Sequence, residues 1–153
     1  MQLKTILVPC DFSDHANVAL SWALGLAERW QAKVILFHAV PLFAPVGYPE
    51  ATVMLDLPKM ETELMADAKK RLQDMVTAQG KTTVAIETQV VMGDATWEIT
   101  KKAEEDHADL IVMGSHGRTG LAHVFLGSVA ERVVRHAACP VLVARTAQAT
   151  TKK

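Results

Sequence analysis

Short, continuous runs of apolar residues recur along this chain, and longer amphipathic segments separate them. Residues 33–40 (KVILFHAV) and 109–114 (DLIVMG) are the clearest of these runs. Uninterrupted apolar runs of this length are typical of strands that are buried on both faces. The predicted strands are 3–9, 33–40, 82–91, 109–114 and 140–144, and the predicted helices are 13–30, 58–80, 94–107 and 128–137.

The alternation of strands and helices predicts an α/β fold, with an open five-stranded parallel sheet and helices on both of its faces. A chain of 153 residues is long enough for one such domain. Ligands of open parallel sheets usually bind beyond the carboxyl ends of the strands. We therefore expect functional residues after the first, second and fourth strands.

The first predicted helix has Val18, Trp22, Leu26 and Trp30 close to one face, and Ser13 or Asp14 can cap it. Residues 41–57 contain three prolines and show no period, so we expect a long connection there.

Charge and hydropathy exclude two classes of partner. The net charge of −1 argues against general nucleic-acid binding, which requires clustered Lys and Arg. No segment has the roughly 20 apolar residues that cross a bilayer, and the N-terminus does not resemble a signal peptide. We expect a cytoplasmic protein without membrane contact. Cys10 and Cys139 are expected to be reduced thiols, because the predicted strands place them at opposite ends of the sheet.

A glycine-rich stretch follows the fourth predicted strand, with the spacing Gly114-x2-Gly117-x9-Gly127-Ser128. These glycines could serve a turn with unusual backbone angles, or they could let backbone amides approach an anion at the start of a helix. The side chains that could add to a phosphate site are those of Ser115, Arg118, Thr119 and Ser128.

Competing explanations cover part of this pattern. Ser128 and Glu131 form an S-x-x-E capping box, which would explain that serine without a ligand. The GKT at 80–82 is not the end of a P-loop, because Met75 stands where that motif needs glycine. The dinucleotide fingerprint GxGxxG is absent from the sequence.

Other candidate chemistry is weak. His116 and His123 have no third partner at a zinc-ligand spacing, so no protein-held metal is predicted. His38 lies in an apolar run and is expected to be a core histidine. Cys10 has no partner that the sequence can assign as a base, and no catalytic residue is predicted.

Four segments carry a resemblance to the universal stress protein family: ILVPCDFS, the HAV at 38–40, GSHGRTGLAHVFLGS and CPVLV. The resemblance extends over essentially the whole chain and points to the family's ATP-binding branch. It implies a Rossmann-like fold of the adenine nucleotide alpha hydrolase type over residues 1–146, with a frayed tail at 147–153.

The resemblance also implies a set of binding residues. Asp11, next to Pro9, would lie by the ribose or the adenine, and the backbone of Val40 would hydrogen-bond the adenine. The residues implied around the phosphates are Gly114, Ser115, His116, Gly117, Arg118, Thr119, Gly120, Gly127, Ser128, Val129 and Ala130. Any Mg²⁺ would be held largely by the phosphates.

The function expected from the sequence is that of a stress-response regulator or sensor that binds ATP, ADP or AMP. Fast hydrolysis is not expected, since no Walker lysine or arranged base is present. A slow ATPase and an interaction protein that binds no nucleotide remain the alternatives. The resemblance further implies a homodimer through the strand at 140–145.

Overall fold

The computed structural model describes residues 2–42, 56–117 and 126–145. Most of the predicted connection at 41–57 and the predicted tail at 147–153 lie outside these ranges. The elements are β1 (Thr5–Pro9), α1 (Asp14–Trp30), β2 (Lys33–Val40), α2 (Leu57–Ala78), β3 (Ile86–Met92), α3 (Ala95–Glu105), β4 (Leu110–Gly114), α4 (Ser128–His136) and β5 (Val141–Ala144).

The five strands of the described residues form one sheet in the order β3-β2-β1-β4-β5, and every neighbouring pair is parallel. The predicted fold class is therefore confirmed. The chain runs from β1 outward to β3 and then returns to the other side of β1. The strand order reverses between β1 and β4, which leaves a crevice at their carboxyl ends.

Alternate residues of the central strand β1 point into two separate cores. Ile6 and Val8 pack in a cluster with alanines of α1 and with Leu72 of α2. Leu7 packs in a second cluster with Ile99 of α3 and other buried residues of α3 and α4. Because all three β1 side chains are fully buried, the sheet is covered on both faces, as predicted.

The apolar face predicted for α1 is confirmed only in part: Val18 and Leu26 are half-buried against the core, whereas Trp22 and Trp30 are exposed. The helix buries Ala16, Ala19, Leu20, Ala23 and Ala27 against the sheet. Trp22 and Trp30 are 57% and 42% exposed. A face of small side chains lets the helix axis lie close to the sheet, and indole rings on that face would hold the helix away. The predicted N-cap is confirmed at Ser13, whose hydroxyl accepts a hydrogen bond from Ala16 N–H at 3.2 Å.

Asp109 joins β1 and β4 at the edge of the sheet opposite the crevice. One of its carboxylate oxygens accepts hydrogen bonds from the backbone N–H groups of Lys4 at 2.7 Å and Thr5 at 3.0 Å. These two bonds hold the pKa of Asp109 below its usual value. Cys10 and Cys139 are free thiols at opposite ends of the sheet, which confirms that prediction.

Gly114, the last residue of β4, lies directly under the first turn of α1. A Cβ atom at this position would be 2.8 Å from the Cβ atom of His15 and 3.0 Å from the carbonyl carbon of the same residue. Contacts this short with backbone atoms cannot be relieved by rotating a side chain. Glycine at 114 is therefore required by the close packing of α1 on β4.

A Gly114→Ala substitution should lower the free energy of unfolding by about 1–3 kcal/mol, the usual cost of overpacking a well-packed site. Gly25→Ala is the matched control, because Gly25 is an exposed residue of α1 with no atom within 4 Å of an added Cβ. The control should raise stability by up to about 1 kcal/mol through helix propensity. Urea unfolding measures both changes, and equal stabilities of the Gly114→Ala and wild-type proteins would contradict the packing argument.

Candidate functional site

A cavity of about 350 Å³ opens at the carboxyl edge of the sheet, where the strand order reverses. Its volume falls in the range that is usual for small-molecule sites. The residues lining it are Pro9, Cys10, Asp11, Ala16, Phe37, His38, Ala39, Pro41, Ala95, Ile99, Met113, Gly114, His116, Gly117, Gly127, Ser128, Val129 and Ala130.

The three described glycines of the stretch serve close approach, not unusual backbone angles. Gly114, Gly117 and Gly127 do not have positive φ angles. A Cβ atom at Gly117 would be 2.8 Å from Oδ2 of Asp11, and one at Gly127 would be 3.3 Å from the carbonyl oxygen of Ser115. The glycines thus bring two loops and the start of α4 together around the cavity.

The N-terminus of α4 opens into this cavity without a side-chain cap. Gly127 is the N-cap residue, and its carbonyl oxygen accepts the first helical hydrogen bond, from Glu131 N–H at 2.9 Å. The backbone amides of Ser128, Val129 and Ala130 precede that bond, and all three residues line the cavity. These amides carry the positive end of the helix dipole, so the site favours an anion.

The capping box predicted for Ser128 is wrong. Ser128 is the first residue of the helix and not its N-cap, and no side chain caps the helix. Glycine at 127 already has the extended backbone of an N-cap, with φ −66° and ψ 151°. Glu131 instead forms an ion pair with Arg135 at 2.8 Å.

Asp11 contributes a fixed carboxylate to the cavity. Its Oδ1 accepts hydrogen bonds from the backbone N–H of Ser13 at 3.1 Å and from the Ser13 hydroxyl at 2.6 Å. Its Oδ2 lies beside Gly117. Because Ser13 also caps α1, the position of Asp11 is coupled to the start of that helix.

Cys10 lies in the cavity wall but is not poised as a nucleophile. Burial raises the pKa of its thiol to about 11, and the sulfur is 3.5 Å from the Met75 sulfur. A thiol with this pKa is protonated at neutral pH, and only the thiolate is reactive.

His38 is not the core histidine that the sequence predicts. It is half-buried, it lines the cavity, and its Nδ1 donates a hydrogen bond to the carbonyl oxygen of Cys10 at 2.6 Å. The sequence did not reveal this position, because His38 lies within an apolar run. In the structure, β2 extends past the end of β1, and one face of that extension borders the cavity.

The structure brings nine of the predicted site residues to this cavity, and they are Pro9, Asp11, Gly114, His116, Gly117, Gly127, Ser128, Val129 and Ala130. Their roles in binding remain predictions. Arg118, Thr119 and Gly120 lie outside the described residues, as does His123.

Val40 and Ser115 do not line the cavity. The carbonyl oxygen of Val40 accepts a hydrogen bond from Gly93 N–H at 2.9 Å, and the residues on either side of it, Ala39 and Pro41, line the cavity instead. Ser115 is buried, and its hydroxyl is 2.9 Å from Nδ1 of His116.

The sequence predicted that Cys10, His38 and Ala39 lie at this edge of the sheet, but it gave them no role in binding. The lining residues that it missed altogether are Ala16, Phe37, Pro41, Ala95, Ile99 and Met113. The ends of β2 and β4 gave a usable signal for some of them, since carboxyl strand ends meet at this edge. Ala95 and Ile99 gave none, because their approach depends on how α3 packs.

Among the residues that the structure describes, no group of three or more His, Cys, Asp or Glu side chains could hold a metal ion. None of the helices in those ranges is both long and apolar enough to cross a membrane.

Comparisons with known proteins agree with this architecture. The sequence model of the Universal stress protein family matches residues 2–145. The universal stress protein MJ0531 of Methanocaldococcus jannaschii is 37% identical over 142 residues, which cover 93% of this chain and 82% of that protein.

Two solved structures are similar over nearly the full chain. Hypothetical protein MJ0577 of the same archaeon, also a universal stress protein, superposes with a TM-score of 0.83 at 30% identity, covering 97% of this chain and 100% of that one. A universal stress protein in complex with cAMP has a TM-score of 0.67 at 27% identity, covering 96% of this chain and all of that one. With the family match over residues 2–145, these similarities establish that the chain belongs to the universal stress protein family.

Proposed function

We propose that the cavity binds an adenine nucleotide, ATP or its diphosphate or monophosphate, and that the chain acts as a nucleotide-binding regulator or sensor in a stress response. The observation that carries this proposal is the uncapped N-terminus of α4, which opens into a cavity of suitable size. A structurally similar family member is known in complex with cAMP, which supports the choice of an adenine nucleotide.

The chemistry of the cavity suits the parts of such a ligand. The amides at 128–130 would donate hydrogen bonds to the phosphates, and the glycines beside them would let the phosphates approach the backbone. Apolar side chains of Phe37, Ile99 and Met113 would pack against the base, and Asp11 could accept hydrogen bonds from ribose hydroxyls. Arg118, Thr119 and Gly120, which follow Gly117 in the chain, remain part of the proposed phosphate site.

A binding function suits the cavity better than rapid turnover. Asp11 is the one carboxylate among the described lining residues, and those residues include no Lys. Fast phosphoryl transfer needs positioned cations and a group that orients the nucleophile. With one carboxylate in the lining, Mg²⁺ would be held mainly by the nucleotide phosphates.

Gly117→Val should weaken ATP binding by at least tenfold, because the branched side chain would fill the space between Asp11 and the start of α4. Isothermal titration calorimetry measures the affinity, and circular dichroism checks that the variant is folded. Gly25→Ala, far from the cavity on the exposed side of α1, is the control and should bind as the wild type does. A folded Gly117→Val protein with unchanged affinity would refute the phosphate assignment.

We also propose a homodimer through β5, which is an edge strand of the sheet. The carbonyl oxygens of Pro140 and Ala144 accept hydrogen bonds from β4 and the residue after it. Backbone groups alternate in direction along a strand, so those of Val141 and Val143 face away from β4. Two copies related by a two-fold axis could pair these open edges in antiparallel fashion.

Val143→Pro should convert the dimer to a monomer, since proline removes an outward N–H group and leaves the bonds to β4 intact. Multi-angle light scattering at micromolar concentration gives the mass. Val134→Lys is the control: this residue of α4 is 49% exposed and lies off the edge strand. A wild-type protein that is already monomeric in this assay would exclude the proposed dimer.

A further inference from the structure

Phe12 has a left-handed backbone conformation, with φ at 66°. Among the described residues, the other non-glycine residues with positive φ are Gln31 and His107, and both lie at the ends of helices. A left-handed residue is common after a helix, where it closes the last turn. Phe12 instead stands between β1 and α1, where no such closure occurs, and a bulky side chain makes this conformation costly.

Contacts from two different elements hold the Phe12 ring in place. The guanidinium carbon of Arg71, on α2, lies 3.8 Å from the ring centroid, in the geometry of a cation–π contact. The ring of His38, on β2, lies with its centroid 4.5 Å from that of Phe12 at an angle of 44°. Phe12 is therefore packed between a surface cation and a residue of the cavity wall.

Hydrogen bonds hold Cys10 and Phe12, the residues on both sides of Asp11. His38 donates to the carbonyl oxygen of Cys10, and the backbone N–H of Phe12 donates to the Cys10 sulfur at 3.4 Å. Ser13 then holds Oδ1 of Asp11 through two hydrogen bonds. With Oδ1 held in this way, the other carboxylate oxygen, Oδ2, lies next to Gly117.

We infer that Phe12 is a positioning residue of the nucleotide site: the contacts of its ring with Arg71 and His38 hold the strained loop so that the Asp11 carboxylate is preset for the ligand. This inference rests on the proposed function, and it adds Phe12 to the residues that shape the proposed site. Energy stored in an unfavourable backbone conformation is commonly found beside functional sites, where surrounding contacts maintain it. Here the contacts come from α2 and β2, and neither side chain belongs to the loop itself.

Phe12→Gly separates positioning from folding. Glycine adopts positive φ readily, so the substitution relieves the backbone cost while removing the ring, and the fold should persist. We expect ATP affinity to fall about tenfold, which corresponds to about 1.4 kcal/mol, the worth of about one hydrogen bond to a charged group. Phe12→Tyr retains the ring and should bind ATP nearly as the wild type does.

Arg71→Met removes the cation that lies over the Phe12 ring, so this variant should bind ATP more weakly than the wild type does. Lys70→Met, at the exposed neighbouring position on α2, is the control and should bind ATP more tightly than Arg71→Met does.

A double-mutant cycle with Asp11→Asn, measured as ATP affinity, distinguishes a role of Phe12 in positioning Asp11 from a merely structural role. If Phe12 acts through Asp11, Phe12→Gly should cost little further affinity for ATP in the Asp11→Asn background. Additive losses, or equal ATP affinity of the Phe12→Gly and wild-type proteins, would overturn the inference alone. A wild-type protein that binds neither ATP nor AMP in calorimetry would overturn the proposed function and this inference with it.

Discussion

The approach of the first turn of α1 to the end of β4 is the constraint on which the candidate site depends. It is possible only because Gly114 has no Cβ atom, which would otherwise meet His15 at 2.8 Å. Ser13 caps this same turn and binds Asp11, so the seating of the helix also sets the carboxylate. The contact between α1 and Gly114 thus links the packing of the helix on the sheet to the position of the Asp11 carboxylate in the cavity.

Sequence reasoning recovered the sheet because buried parallel strands are apolar without interruption, and β2 matches its predicted range of 33–40. It was wrong about part of the face of α1, because it grouped the exposed Trp22 and Trp30 with Val18 and Leu26, which do pack against the core. Close packing on a sheet selects small residues, and hydrophobic periodicity does not register this preference for alanine. That Gly127 rather than Ser128 is the N-cap of α4 likewise depends on backbone angles at Gly127 that composition does not reveal.

The glycine spacing predicted which loops border the cavity, but it could not show what each glycine does there. Gly114 serves helix packing, whereas Gly117 keeps open the space beside Asp11. His38 and Phe12 could not be assigned from sequence, because their roles come from contacts with residues that are distant in the chain. Such contacts exist only once the sheet has brought β1, β2 and α2 together.

In the proposed nucleotide site, the backbone would make most of the described contacts with phosphate. The described lining includes the carboxylate of Asp11 and the imidazoles of His38 and His116, but no Lys or Arg. The amides at the start of α4 are therefore the main described source of positive potential for an anion. The sequence places Arg118 directly after Gly117, where it could add a full charge.

Amide hydrogen exchange followed by NMR, with and without saturating ATP, tests this claim most directly. The amides of Ser128, Val129 and Ala130, which precede the first helical hydrogen bond, should gain protection on addition of ATP. Protection should also appear at Gly117, while amides of the distant edge strand β3 should change little. Unchanged exchange at 128–130 in a protein saturated with ATP would contradict phosphate binding at the start of α4.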